Sequence, residues 1–107
     1  AIQGAGRFSV VLPCAEEGEF MVKTVRSFCE KTPREILQEV VVVDDGSARP
    51  LEGLLRGLNE SCSIRSIRHD KTMGLMVAKQ TGGDAAVGEF IGFFDCHVAP
   101  NEGWYQE

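Results

Sequence analysis

The chain has 107 residues, of which 43% are hydrophobic and 25% charged, the balance of one ordinary globular unit able to bury a core. Eleven Lys and Arg stand against sixteen Asp and Glu, for a net charge of -5. No basic stripe runs along any predicted element, which argues against nucleic acid as a partner. No run approaches the ~18 apolar residues that cross a bilayer, and positions 1–6 lack the charged start and apolar stretch of a signal peptide. No membrane contact is expected of this segment, and any targeting segment is expected outside it.

Phe8-Ser9-Val10-Val11-Leu12-Pro13 is a short apolar run ended by proline, the pattern of a buried strand. From Glu17 to Lys31, Met21, Val25 and Phe28 recur at helical spacing and the charged residues fall largely elsewhere, which predicts an amphipathic helix broken by Pro33. Glu39-Val40-Val41-Val42-Val43 lacks polar alternation, as a strand covered on both faces does. Asp44-Asp45-Gly46-Ser47 is a turn, after which Leu51, Leu54, Leu55 and Leu58 predict a second helix.

Positions 63–68 predict a weaker strand. Gly74 to about Val87 predicts a third helix, whose small residues Ala78, Gly82, Gly83, Ala85 and Ala86 permit close packing on a sheet. Phe90 to Phe94 predicts the last strand, and positions 103–107 read as a loop entering a helix that the sequence cuts inside a larger domain. Strand and helix thus alternate, the order of a mostly parallel sheet with helices on both faces.

In such a sheet ligands bind beyond the carboxyl ends of the strands. Pro13-Cys14-Ala15-Glu16, Asp44-Asp45-Gly46-Ser47 and Asp95-Cys96-His97 are all expected on that rim. Asp95 and His97 flank one residue, so an extended backbone points both side chains the same way. A carboxylate and an imidazole suit manganese or a similar divalent ion that keeps positions open for phosphate oxygens. A helix-capping aspartate beside a chance histidine is the plain alternative. Asp44 and Asp45 are equally readable as turn formers, and Gly74 as a loop glycine. His69, between Arg68 and Asp70, reads as a solvated loop residue. Cys14, Cys29, Cys62 and Cys96 form no C-x-x-C pair, and their redox state stays open. Asn59-Glu60-Ser61 fits the N-glycosylation acceptor pattern.

Further motifs narrow the reading. They are Thr24-Val25-Arg26-Ser27 with Thr32-Pro33, the strand ending in Asp44-Asp45, Gly74-Leu75, Ala78-Lys79, Gly82, Ala85-Ala86, Gly88-Glu89, Phe93-Phe94-Asp95-Cys96-His97 and Asn101-Glu102-Gly103-Trp104. On these residues the stretch from Phe8 to Glu107 resembles the polypeptide N-acetylgalactosaminyltransferases. Asp-x-His in place of Asp-x-Asp points to that family.

The resemblance implies a GT-A (Rossmann-like) α/β fold, with residues 1–107 as the N-terminal nucleotide-sugar-binding half of an incomplete domain. It implies retaining, manganese-dependent transfer of N-acetylgalactosamine from its UDP donor to Ser or Thr of a polypeptide, in the Golgi lumen. By position, Asp95 and His97 look like metal ligands and Asp45 like the aspartate that hydrogen-bonds uracil. Leu12, Cys14, Thr72, Gly74, Leu75 and Lys79 look like further donor-binding positions.

The sequence departs from the family where a pocket histidine becomes Cys14, and where donor-contacting and neighbouring arginines become Thr72 and Val77. Loss of a guanidinium fork weakens diphosphate binding by a few kcal/mol. The half that carries the third metal ligand and the acceptor groove lies outside these residues, so the chain alone is expected not to turn over and to self-associate through apolar surface. Two other readings stand beside this one: an inverting, polysaccharide-building GT-A transferase, and a degenerate nucleotide-sugar-binding module without turnover.

Overall fold

The computed structural model describes residues 7–16, 18–58, 62–96, 98, 100, 103 and 104. Four strands form one sheet: β1 (Phe8–Cys14), β2 (Leu37–Asp45), β3 (Ile64–His69) and β4 (Phe90–Phe93), in the order β3-β2-β1-β4. Every pairing is parallel. Helices α1 (Gly18–Lys31) and α2 (Leu75–Ala85) cross between strands. The GT-A-like expectation of a parallel sheet with helices on both faces is met.

Alternation along the strands divides the core. Val10, Leu12, Val40 and Val42 join Met21, Val25 and Phe28 of α1 on one face. Val11, Val41 and Val43 turn to the other face, against Ala78 of α2. The unbroken valine run of β2 is therefore buried on both sides, as its composition predicts. On the α2 side the packing is close enough that a Cβ on Gly82 would lie 2.3 Å from Val11 Cγ1 and 3.0 Å from Val43 Cγ2. The glycines that weaken α2 as a helix thus fit it to the sheet.

At the amino ends of the strands, the buried Glu39 carboxylate accepts hydrogen bonds from Ser9 Oγ (2.7 Å), the Val87 amide (2.7 Å) and Arg65 Nε (2.8 Å). At the chain's far end, Trp104 packs edge-on against Phe28 and Phe94 and donates from Nε1 to Thr32 Oγ1 at 2.7 Å. Thr32 and Trp104, two of the motif positions, serve packing.

The second predicted helix is corrected. Residues Leu51–Leu55 form only a 3₁₀ turn. Gly53 lowers helical propensity inside it, and Gly57 lies in the left-handed region at φ 88°, which stops propagation. Leu51 and Leu55 are buried while Leu54 is half exposed, so the leucine spacing marks a packed turn. The acceptor motif at 59–61 and the predicted helix start at 105–107 lie outside the described residues.

Candidate functional site

The sheet order places a topological switch point between β1 and β4, since the chain runs outward from β1 through β2 to β3 and then returns to the other side of β1. In open α/β sheets the crevice beyond the carboxyl ends at such a point is the ligand site. A cleft of about 370 Å³ lies there. Pro13, Cys14 and Ala15 from the end of β1, Asp45 from β2, Leu75, Ala78 and Lys79 from α2, and Phe93, Phe94 and Asp95 from β4 and its exit line it.

Asp44 and Asp45 leave β2 on opposite faces. The Asp44 carboxylate turns toward the 3₁₀ side, where it accepts from the Ser47 amide (3.0 Å), the Leu51 amide (2.9 Å) and Arg68 Nη1 (2.7 Å). Burial pushes its pKa up, but these donors and the Ser47 hydroxyl outweigh burial and hold it below the ordinary carboxylate value. This aspartate is a structural cap, the turn-forming role its sequence allows.

Asp45 turns toward α2. Its carboxylate accepts from the Met73 and Gly74 amides, both at 2.9 Å, and pairs with His69 Nδ1 at 2.8 Å. Burial again pushes the pKa up, and again the donors prevail, with His69 foremost among them, leaving it lowered. Asp45 therefore fastens the loop that enters α2 to the end of β2. Gly46, at φ 77°, lets that loop approach: a Cβ there would meet the Thr72 backbone nitrogen at 2.5 Å.

His69 is not a solvated loop residue. It sits opposite Asp45 in the β2–β3 register, its side chain is only 15% exposed, and its Nε2 lies 2.8 Å from Thr81 Oγ1 of α2. The same register sets Arg68 opposite Asp44. An arginine and a histidine in succession at a strand end, facing two successive carboxylates on its neighbour, were the signal available.

The cleft gathers Cys14, Asp45, Leu75, Lys79 and Asp95 from the predicted positions and leaves others aside. Leu12 is fully buried in the core on the α1 face and is absent from the lining. Thr72 spends its hydroxyl on the Asp45 carbonyl at 3.1 Å. Gly74 contributes its amide to Asp45 and opens α2 at φ 99°.

Asp95 is exposed at the cleft. Cys96 stands in a turn, and the Val98 amide donates to the Asp95 carbonyl at 3.1 Å. His97 lies outside the described residues. Among the described residues no three His, Cys, Asp or Glu side chains gather as a metal site.

The cysteines, open in sequence, are paired. Cys14 bridges Cys96 across the switch point, and Cys29 bridges Cys62 between the end of α1 and the approach to β3. Cys14, placed where the resemblance expects a polar pocket side chain, is thereby committed to a covalent bond.

The family described as glycosyl transferase family 2 matches residues 9–107. Polypeptide N-acetylgalactosaminyltransferase 12 of Mus musculus is 39% identical over 88 residues, covering 80% of this chain and 15% of that protein. Polypeptide N-acetylgalactosaminyltransferase 10 of Rattus norvegicus is 35% identical over 101 residues, covering 90% and 16%. The chain thus spans about one-sixth of the length of these curated relatives.

Among solved structures, GalNAc-T7 with UDP, GalNAc and Mn2+ superposes with a TM-score of 0.80 at 29% identity, over 96% of this chain and 20% of that one. Residues 1–349 of S. aureus TarS in complex with UDP give a TM-score of 0.82 at 22% identity, over 94% and 30%, a likeness of fold alone. The resemblance to polypeptide N-acetylgalactosaminyltransferases and the GT-A fold class both hold.

Proposed function

The chain belongs to glycosyl transferase family 2, and on that premise we propose that residues 1–107 are the nucleotide-sugar-binding half of a catalytic domain transferring N-acetylgalactosamine from UDP to Ser or Thr of polypeptides. The observation that carries this reading is the convergence of Asp45, Lys79 and Asp95 on one cleft at the switch point. The relatives' names and the UDP, GalNAc and Mn2+ held by a 29% identical neighbour support the donor and the metal.

Each side chain has a role in this reading. Asp45, kept ionised and aimed by its internal donors, accepts from the uracil N–H with its remaining lone-pair capacity. Leu75 forms the apolar wall beside the donor. Lys79 offers its ammonium to the diphosphate and stands in for the missing arginine at position 72. Asp95, with His97 two residues on, holds the divalent ion; an exposed hard carboxylate oxygen beside the cleft fits manganese. When bound, that ion neutralises charge growing on the departing diphosphate. The remaining ligands come from the donor phosphates and from residues beyond those described.

Retention at the sugar carbon, Mn2+ dependence and a Golgi setting belong to the same proposal. Two disulfides within the chain support an oxidising compartment. No helix among the described residues is long and apolar enough to cross a membrane. Exposed Leu75, Met76, Phe90, Ile91 and Phe93 along α2 and β4 support self-association of the isolated chain.

Cys14 in a bridge and Thr72 engaged by backbone favour one second reading, a donor-binding module without turnover. The two separate in the whole protein that carries this chain, given UDP-GalNAc, Mn2+ and a Ser/Thr peptide. The transferase reading predicts an α-linked glycopeptide and stoichiometric UDP, both abolished by EDTA. Tight donor binding with neither transfer nor hydrolysis would replace it by the module, and a β-linked product by the inverting class.

A further inference from the structure

The carboxyl end of β1 is laddered to β2 as far as Cys14↔Asp44, whereas its pairing with β4 stops earlier. The β1–β4 ladder runs from Phe8↔Phe90 to Val11↔Phe93, and the Phe94 amide donates to the Val11 carbonyl at 3.0 Å. Past these pairs the two strand ends flank the cleft. The Cys14–Cys96 disulfide spans the gap, with Cα atoms 5.5 Å apart and both residues buried.

Cys96 follows Asp95 directly, and its carbonyl lies 2.6 Å from the buried Thr24 hydroxyl of α1, which is also 3.1 Å from the Val98 carbonyl. The turn closed by the Val98 amide on the Asp95 carbonyl is thus held from two sides, by sulfur from β1 and by a hydroxyl from α1. The other bridge has no such place. Cys29 and Cys62 line a separate depression with Arg7, Leu37 and Ser63, at the amino ends of the strands.

We propose that the Cys14–Cys96 disulfide is a positioning element of the donor site, setting the Asp95 turn against the end of β1 so that opening the bridge weakens nucleoside-diphosphate and divalent-ion binding in a protein that stays folded. This inference rests on the reading of the cleft as a donor site. Ligands held by supporting bonds bind metal tightly because little order must be acquired on binding, and loss of such support costs roughly 10–100-fold in affinity.

The test compares the chain with the double variants Cys14→Ser/Cys96→Ser and Cys29→Ser/Cys62→Ser, titrated with UDP in Mn2+ well below each melting midpoint. The expected result is a UDP Kd raised roughly 10–100-fold in the first variant and kept within about two-fold in the second, with far-UV circular dichroism unchanged. A folded first variant that binds UDP like the parent overturns the proposal and leaves the donor site standing. A parent chain with no metal-dependent UDP binding overturns the donor-site reading and this inference together.

Should the first variant not fold, hydrogen exchange on the parent decides. Dithiothreitol delivers two electrons and two protons, giving two thiols and the cyclic oxidised reagent. Faster exchange at the Val98 amide, with β2 amides still protected, supports the proposal. Simultaneous loss of protection in β2 makes the bridge a general staple and overturns it.

Discussion

Asp44 and Asp45 are neighbours in sequence with separate environments, because successive strand residues face opposite sides of a sheet. Both folded-state pKa values are lowered, so both carboxylates contribute stability that is complete above the unfolded value of about 3.9 and lost as pH falls through the folded values. Denaturant midpoints are expected to drop below about pH 4, and Asp44→Asn is expected to flatten part of that drop; equal acid slopes in the two proteins would refute the assignment. His69→Ala removes a donor from Asp45 and a partner from Thr81, with an expected loss of about 1–2 kcal/mol in chemical denaturation. The Asp-Asp-Gly-Ser turn and its place on the rim were legible from its position after a valine run. The role of His69 was not, because it depends on the β2–β3 register, which hydrophobic pattern alone does not reveal in a strand as mixed as β3.

The elements themselves were largely written in hydrophobic period. Runs of β-branched residues gave β1 and β2, and three apolar residues at helical spacing gave α1. The 51–58 segment failed because leucine spacing alone cannot distinguish a helix from a packed 3₁₀ turn; Gly53 and Gly57 decided it. Two glycines test this reasoning in opposite directions. In Gly82→Ala the gain in helix propensity, about 1 kcal/mol, is set against a Cβ placed 2.3 Å from Val11. Overpacking of about 1–3 kcal/mol wins, and thermal unfolding should report net destabilisation. Gly53→Ala meets nothing within 4 Å and should be neutral or stabilising by up to about 1 kcal/mol. A stabilised Gly82→Ala would show that α2 does not approach the sheet as described.

At the scale of the molecule, two cross-links close loops of different length, with sequence separations of 82 and 33. Loop-closure entropy assigns about 4.5 kcal/mol to the first and about 3.7 kcal/mol to the second, so removing Cys14–Cys96 should lower the denaturant midpoint the more. The parallel sheet and the rim were readable from sequence because the alternation of strands with helices and the strand ends follow from pattern, whereas the order of strands across the sheet did not. Which rim residues share a cleft was not, since Leu12 turns into the core and Cys14 is bound to Cys96, facts that only packing and proximity decide. The central claim is that the switch-point cleft binds a nucleoside diphosphate through Asp95 and a divalent ion. Calorimetric titration of the chain with UDP, with and without Mn2+, tests it most directly. Saturable binding that requires Mn2+ and weakens at least about ten-fold in Asp95→Ala is the result expected; binding indifferent to both the ion and that substitution would contradict it.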